Sequence, residues 1–276
     1  MRKGKGIVDG IRKYSSVMAL AVRSSFYKVL LVMIGMCVAE GIAFFLILKG
    51  ELEEVHTYTV QQWHSMMPEM FCGMMEKGIF YSIFMCSMFL VSAILVWTEN
   101  ERGKSRSRLL LWRLRISPRR IFILWSVYNM VCYGLLFIVQ YLLIPVLHGI
   151  YLTEAKDLIP PDILSAMIPQ TLFLVFRTNG FLHGILPLDD IWLSIRLLLA
   201  FAAWGMAAAY IGYIGYVGHT RRSAMLILFL GYTILFVSVG VDIGWINFLV
   251  IASSVICMLS IFISVKGGWG YELGEV

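Results

Sequence analysis

Charged residues are scarce in this sequence. Asp, Glu, Lys and Arg make up 14% of its 276 residues, whereas a soluble domain carries roughly 25%. Hydrophobic residues make up 59%, and the mean hydropathy is +0.80. The polar stretches between the apolar runs are short, so they leave little room for a separate soluble domain. The composition predicts an all-α polytopic membrane protein, with residues 1–276 forming a single transmembrane domain.

The residue sets that support catalysis or metal binding are also missing from the sequence. The five cysteines are an odd number without Cys-x-x-Cys or Cys/His ligand spacing, and all but Cys72 fall within apolar runs. This distribution is typical of small core residues. None of the five histidines lies in the middle of a run, and no nucleophile converges with a base. We therefore expect no catalytic site and no metal site in this chain.

A Gly-Lys-Ser triplet at 103–105 resembles the end of a phosphate-binding loop. Such a loop needs an earlier glycine and lies between a strand and a helix, so that its backbone N–H groups can surround the phosphates. Thr98 occupies the first glycine position, and an apolar run precedes it. We expect this chain to bind no nucleotide and no other cofactor.

Six apolar runs are long enough to cross a hydrocarbon core about 30 Å thick. They predict transmembrane helices at about 27–48, 78–97, 121–146, 191–217, 222–241 and 245–265. Ser117-Pro118 and Asp189-Asp190 are typical helix starts before the third and fourth runs.

Residues 1–26 are predicted to form a cytoplasmic amphipathic helix. Within 5–23, apolar residues recur at helical spacing while basic and polar residues occupy the other faces. This pattern is typical of a helix that lies on the inner leaflet. A short, partly disordered basic tail is the alternative.

The basic residues indicate the orientation of the chain. With a cytoplasmic N-terminus, 18 of the 23 Lys and Arg residues fall in inner segments. This asymmetry predicts that both termini of a multi-pass plasma-membrane protein are cytoplasmic. It also accounts for the net charge of +6, so membrane lipid is an expected partner and nucleic acid is not.

The two outer loops are predicted to differ. Residues 49–77 are acidic and polar, whereas the loop 148–190 contains four prolines around the apolar stretch ILSAMIPQTLFLVF. That stretch is too short and too interrupted to cross the membrane. It predicts a re-entrant segment or a surface-lying helix pair at the outer face.

Four polar side chains within the spans are candidate functional residues, because charges inside a membrane are costly and mark substrate or ion paths. Glu40 lies about 5 Å to the outer side of the middle of span one, and Arg196 lies in the outer third of span four. We expect Glu40 either to make a structural contact with Arg196 or a hydroxyl, or to line a translocation path. Asn129 and Gln140 are further path candidates, although hydrogen bonding between packed helices is the simpler interpretation.

Small residues recur along span four roughly every fourth position, which lets another helix approach closely. They are Gly205, Ala209, Gly212 and Gly215. The pattern predicts a packing interface within the bundle or between subunits.

The basic segment between spans two and three is predicted to form a short helix with two apolar faces. One face carries Leu109, Trp112 and Ile116, the other Leu110, Leu111 and Leu114, and arginines separate them. Because a helix at the membrane interface needs only one apolar face, this pattern favours a helix between the membrane domain and a cytoplasmic partner. A basic stop-transfer helix on anionic lipid is the alternative.

This arrangement resembles the permease subunits of ABC type-2 exporters, which have an amphipathic elbow helix, six spans and a cytoplasmic coupling helix between spans two and three. The sequence likeness lies in Glu99-Asn-Glu-Arg-Gly103, then LLLWRLRI, then Ser117-Pro-Arg-Arg120. One feature departs from the pattern. Such permeases often place outer re-entrant helices between spans five and six, whereas the long outer loop here follows span three.

The resemblance implies a permease subunit of a bacterial exporter for a peptide, an antimicrobial or a lipid-like molecule. A separate ABC ATPase subunit would bind ATP and magnesium, and a second permease subunit, identical or related, would complete the transporter. The residues expected to contact the ATPase are Arg108, Leu110, Trp112, Arg113 and Leu114. The alternative is an ion-coupled secondary carrier or channel in which Glu40 is the intramembrane site.

Overall fold

The computed structural model describes residues 2–55, 69–104, 118–156, 171–185, 191–214, 231 and 244–272. Within these ranges the chain is helical apart from single-residue breaks, and no strand is present. In chain order the helices are α1 (Arg2–Val55), α2 (69–76), α3 (Gly78–Lys104), α4 (Pro118–Ala155), α5 (171–178), α6 (Gly180–Ile185), α7 (Ile191–Ile214) and α8 (Gly244–Glu272). The predicted all-α class is confirmed.

Four of these helices contain segments long and apolar enough to cross a membrane: Val22–Glu53, Gly78–Thr98, Arg120–Ala155 and Ile191–Ile211. They coincide with the first four predicted spans. The predicted fifth span, 222–241, lies outside the described residues except for Gly231. The sixth falls within α8, whose apolar part Asn247–Ile263 is shorter than the other four.

The first helix differs from the prediction. We expected a separate interfacial helix over 1–26, but α1 continues without a break from Arg2 to Val55, a length of about 80 Å at 1.5 Å per residue. The stretch contains no proline, so no residue in it lacks the backbone N–H that an i→i−4 hydrogen bond needs. The amphipathic segment and the first span are therefore two parts of one helix.

Helices α1 and α4 run side by side in the same direction. The hydroxyls of Ser25 and Tyr128 are 2.9 Å apart near the starts of their spans. Further along both helices, Gln140 hydrogen-bonds Glu40. The residue numbers of the two helices increase together from the first contact to the second, so the helices are parallel.

Helices α3 and α7 run opposite to α4. The rings of Phe84 and Phe137 lie 5.0 Å apart, and the Tyr133 hydroxyl donates to Ser92 at 2.9 Å, so residue numbers fall along α4 as they rise along α3. The Phe137 ring also contacts Phe201 of α7 at 4.7 Å. Phe84, Phe137 and Phe201 thus join three helices in a buried core, while the opposite faces expose apolar side chains suited to lipid.

Helix α8 packs against α7. The guanidinium of Arg196, in the second turn of α7, donates to the amide oxygen of Asn247, in the first turn of α8. Because the two helices meet at their starts and pack along each other, they run in the same direction.

The helix starts agree with the sequence signals. Helix α4 begins at Pro118, whose fixed φ suits a first helical position. Helix α7 begins at Ile191, directly after the Asp189-Asp190 pair. At its other end α4 continues to Ala155, beyond the predicted end at 146, because apolar residues continue through Leu152.

The described parts of the outer loops contain short helices. Helix α2 lies within the segment 49–77, and α5 and α6 lie within 148–190. Asn179 separates α5 from α6, and its side-chain oxygen accepts a hydrogen bond from the backbone N–H of Leu182 at 3.0 Å. This contact is a typical N-cap. The stretch ILSAMIPQTLFLVF is described only from Thr171 onward, where it is helical, and its re-entrant or surface-lying position stays a prediction.

Candidate functional site

The most deeply buried polar pair in the described bundle joins α1 and α4. Glu40 and Gln140 are both 0% exposed. The side-chain amide of Gln140 donates from Nε2 to Oε2 of Glu40 at 2.8 Å. The two residues predicted separately as path candidates are therefore in contact.

Two oxygens of this pair lack a hydrogen-bond partner. They are Oε1 of Glu40 and Oε1 of Gln140, and both are buried from solvent. A buried polar atom without a partner costs about 1–3 kcal/mol. An unsatisfied pair of this kind at the centre of a packed bundle marks a site that needs a further hydrogen or ligand.

The predicted Glu40–Arg196 contact is wrong. Arg196 is only 2% exposed, but its guanidinium donates to Asn247 of α8. No Lys, Arg or His in the described part of the chain forms an ion pair with Glu40. The reason is rotation about the helix axes, since Glu40 faces α4 whereas Arg196 faces α8.

Apolar side chains enclose the Glu40–Gln140 pair. Met36 and Phe44 lie one turn to either side of Glu40 along α1, and Leu136 and Ile144 flank Gln140 along α4. All four are at most 2% exposed. The pair therefore lies in a dry, low-dielectric setting, where an unpaired charge is most costly.

An aromatic cluster covers the pair on the side toward the ends of α1 and α4. The ring of Phe71 on α2 contacts Phe44 at 5.9 Å, His148 at 5.0 Å and Tyr151 at 5.3 Å. Phe71 is itself fully buried. A segment expected to be a polar loop thus covers the end of the bundle where α3 begins and α4 ends. We call the buried side chains of α2 at this end, Phe71, Met74 and Met75, the outer plug.

Sequence reasoning missed this plug, although a signal was present. Met70, Phe71, Met74 and Met75 recur at helical spacing, and the last three are buried. Six residues of apolar periodicity are too few to predict a span, so the run was assigned to the loop. Its packing partners are what make it a helix.

Two hydrogen bonds connect the short helix α5 to α4 and to α2. The His148 ring hydrogen-bonds the hydroxyl of Thr171 at 2.7 Å, which joins α4 to α5. The Thr178 hydroxyl donates to the sulfur of Cys72 at 3.6 Å, which joins α5 to α2. Burial raises the pKa of the Cys72 thiol, and the hydrogen bond from Thr178 opposes that shift.

Asn129 makes a hydrogen bond between α4 and α7, which is the simpler of its two predicted roles. Its side-chain amide donates a long hydrogen bond of 3.5 Å to the backbone carbonyl of Gly205. Gly205 lies so close to α4 that a β carbon there would be 2.6 Å from the carbonyl oxygen of Ser126. The small-residue pattern therefore includes a packing contact within this chain, whereas Gly215 lies outside the described residues.

The residues predicted to contact an ATPase lie outside the described ranges. They are Arg108, Leu110, Trp112, Arg113 and Leu114. On either side of them, α3 ends at Lys104 and α4 begins at Pro118. Gly103 and Lys104 belong to the last turn of α3, so this part of the Gly-Lys-Ser triplet is helical.

Comparisons with protein-family models, with curated proteins and with solved structures find no match. The class rests on the fold and the site. The described residues are helical, and four of the helices are long and apolar enough to cross a membrane, with a polar pair buried between two of them. These features identify the class as a helical membrane protein.

Proposed function

We propose that this chain is the permease subunit of an ATP-driven exporter of the ABC type-2 kind. It works with a separate ATPase subunit and a second permease subunit, and its cargo is a peptide, an antimicrobial or a lipid-like molecule. ATP and magnesium bind to the ATPase, whose closure moves the segment 104–117.

The observation that carries the proposal is that the two helices that flank this segment contact each other directly. Helices α3 and α4 are joined by the Tyr133–Ser92 hydrogen bond and by the Phe84–Phe137 ring contact. A force applied between Lys104 and Pro118 acts on both helices at once. Rigid, packed elements of this kind transmit a local displacement to the far side of a bundle.

The helix directions support the predicted six-span topology. Because α1 and α4 are parallel and α3 and α7 oppose them, the ends of α3 and the starts of α1 and α4 lie at one face. Helices α7 and α8 run in the same direction, as a six-span topology requires of its fourth and sixth spans. The sequence predicts the intervening fifth span at 222–241.

The basic residues favour a cytoplasmic position for this face. Six Lys and Arg residues precede the predicted first span, Lys28 lies at its start, and eight lie between Glu99 and Arg120. The described elements nearest to these residues in the sequence, namely the start of the span in α1, the end of α3 and the start of α4, lie at one end of the bundle. The positive-inside rule then directs the basic segment to the compartment that holds ATP.

The proposal is tested by charge insertion into the predicted contact face. Trp112→Glu and Leu114→Glu should abolish copurification of an ABC ATPase from native membranes, and should abolish stimulation of its ATP hydrolysis. The conservative variants Trp112→Phe and Leu114→Met are the matched controls and should retain both properties. Intact copurification and stimulation in the Glu variants would contradict the proposed coupling role.

A second candidate function is an ion-coupled carrier or channel, and one observation favours it. Glu40 is fully buried, and its hydrogen-bond partner is the neutral amide of Gln140. Intramembrane carboxylates of this kind mark proton relays and ion paths. In this alternative the basic segment between α3 and α4 only anchors the topology.

Proteoliposomes containing the chain alone distinguish the two candidates. The carrier predicts a change of internal pH when a proton or sodium gradient is imposed, and predicts that Glu40→Gln abolishes it. The exporter predicts no such flux from the isolated chain.

A further inference from the structure

We propose that Glu40 and Gln140 form a proton-binding site, in which a carboxylic acid and an amide share one proton inside the membrane. The proton is bonded to Oε1 of Glu40, and this O–H group donates a hydrogen bond to Oε1 of Gln140. This inference rests on neither of the proposed functions, because it concerns the chemical state of the pair itself.

The hydrogen-bond inventory of the pair carries the proposal. An ionised carboxylate has acceptors only, whereas a protonated one has one O–H donor. Gln140 already donates to Oε2 of Glu40, and the two Oε1 atoms are both acceptors without a donor. One proton on Oε1 of Glu40 supplies a donor for Oε1 of Gln140, so a single hydrogen satisfies both atoms.

The resulting geometry is a closed acid–amide pair. The amide N–H donates to the carbonyl oxygen of the acid, and the acid O–H donates to the carbonyl oxygen of the amide. Both hydrogen bonds run between the same two side chains, and therefore between α1 and α4. Removal of the proton leaves one hydrogen bond and a negative charge in their interface.

The surroundings favour the neutral form. The pair lies between the buried side chains of Met36, Phe44, Leu136 and Ile144, where an ionised carboxylate loses its hydration without compensation. No cationic side chain of the described residues is within ion-pair distance of Glu40. A buried carboxyl group in this position takes up a proton instead.

Other titratable groups near the pair do not offer a positive charge. Along α1, Cys37 lies one turn from Glu40, and it could only add negative charge. The titratable side chains of α3 and α4 in this region are Tyr81, Cys86, Cys132, Tyr133, Tyr141 and His148, and α2, which contacts Phe44, adds Glu69, Cys72 and Glu76. Of these His148 alone could become a cation, and its ring is two turns away, in contact with Phe71 and Thr171.

Infrared spectroscopy of the purified chain in lipid nanodiscs tests the proposal directly. A protonated carboxylic acid has a carbonyl stretch separate from the carboxylate bands, and this stretch shifts in D₂O. At neutral pH the wild-type spectrum should contain such a band, and Glu40→Gln should lack it. Absence of this difference would overturn the proposal.

Stability measurements give an independent test, because glutamine at position 40 can reproduce both hydrogen bonds. Glu40→Gln should leave the thermal unfolding midpoint unchanged, whereas Gln140→Leu should lower it. If Glu40 were ionised, Glu40→Gln would remove a buried charge and raise the midpoint. A raised midpoint therefore contradicts the proposal.

The exchanged variant Glu40→Gln/Gln140→Glu covers the case in which a single variant fails to fold. It places the acid on α4 and the amide on α1, with the same two hydrogen bonds. It should retain the acid carbonyl band and the wild-type midpoint. Loss of the band in a folded exchanged variant would show that the two side chains do not share the proton.

Discussion

Gly205 of α7 faces the backbone of α4 so closely that a β carbon added to it would lie 2.6 Å from the carbonyl oxygen of Ser126. The same atom would lie 2.9 Å from the backbone nitrogen of Met130. Backbone atoms cannot rotate away as a side chain can, so the two helices would have to separate. Only glycine allows α4 and α7 to pack at this distance.

We predict that Gly205→Ala destabilises the bundle by about 1–3 kcal/mol, the usual cost of overpacking a core. The measurement is the thermal unfolding midpoint in detergent or nanodiscs. Gly134→Ala on α4 is the matched control, since a β carbon there meets nothing within 4 Å. The control should be neutral or slightly stabilising, because alanine favours the helix by roughly 0.5–1 kcal/mol. Equal midpoints for the two variants would contradict the close packing.

We predict that Phe71→Ala releases the outer plug. Phe71 fills the space between Phe44, His148 and Tyr151, and a Phe→Ala change in a core costs about 3–5 kcal/mol. The adjacent thiol of Cys72, which is 6% exposed, should then react faster with a maleimide. The measurement uses a chain in which Cys72 is the single cysteine.

Phe173→Ala is the control for the plug. Phe173 lies on α5 and is exposed, so its removal should leave the labelling rate of Cys72 unchanged. If Phe71→Ala also left this rate unchanged, α2 would not depend on the aromatic cluster for its position.

The Cys72 thiol should also show a displaced pH dependence. Burial disfavours the thiolate and raises the pKa of this thiol, with the nearby Glu76 and Glu69 acting in the same direction and Thr178 opposing them. Since the thiolate is the reactive form, labelling of Cys72 should increase at a higher pH than labelling of an exposed cysteine. The stability contributed by the neutral thiol is complete below the pKa that this thiol has in the unfolded chain. It is lost as the pH rises from there through the raised pKa of the thiol in the folded chain. Coinciding pH profiles would contradict this environment.

The orientation of the bundle can be tested from the two sides of the membrane. Lys77 and Arg120 are both exposed and lie at opposite ends of the bundle. In a cysteine-free chain, Lys77→Cys should react with an impermeant maleimide on intact cells, whereas Arg120→Cys should react only after permeabilisation. Replacing Lys77 also removes its ion pair with Glu51, but an exposed pair contributes only about 0–1 kcal/mol. The reverse labelling pattern would place the basic segment outside.

The spans could be predicted from the sequence because hydropathy depends on composition alone. The apolar runs predicted the starts of α3 and α7, at Gly78 and Ile191. The burial of Glu40, Asn129 and Gln140 could also be anticipated, because polar residues inside a span turn away from lipid.

The partner of Glu40 could not be predicted from the sequence. Position along the chain gives the depth of a residue in the membrane, and by depth Arg196 was a reasonable partner. Contact also requires that two helices be neighbours and be rotated toward each other. Neither condition can be read from one sequence, and the structure joins Glu40 to Gln140 instead.

The predictions for the length of α1 and for the segment that forms α2 were wrong for a related reason. Both were judged by local pattern, which changes from amphipathic to apolar within α1 and is short in α2. A helix continues through such a change of pattern where no proline interrupts it, and none occurs between Arg2 and Val55. The position of α2 depends on tertiary contacts of Phe71, which a local pattern does not contain.

The central claim, that the segment 104–117 receives force from an ATPase, is tested most directly by crosslinking in native membranes. A photoreactive amino acid is placed at position 112, and a second chain carries it at Leu142, which is exposed on α4. The account predicts a covalent adduct between position 112 and an ABC ATPase, with a yield that changes on ATP addition, and only lipid adducts at position 142. Lipid adducts alone at position 112 would contradict it.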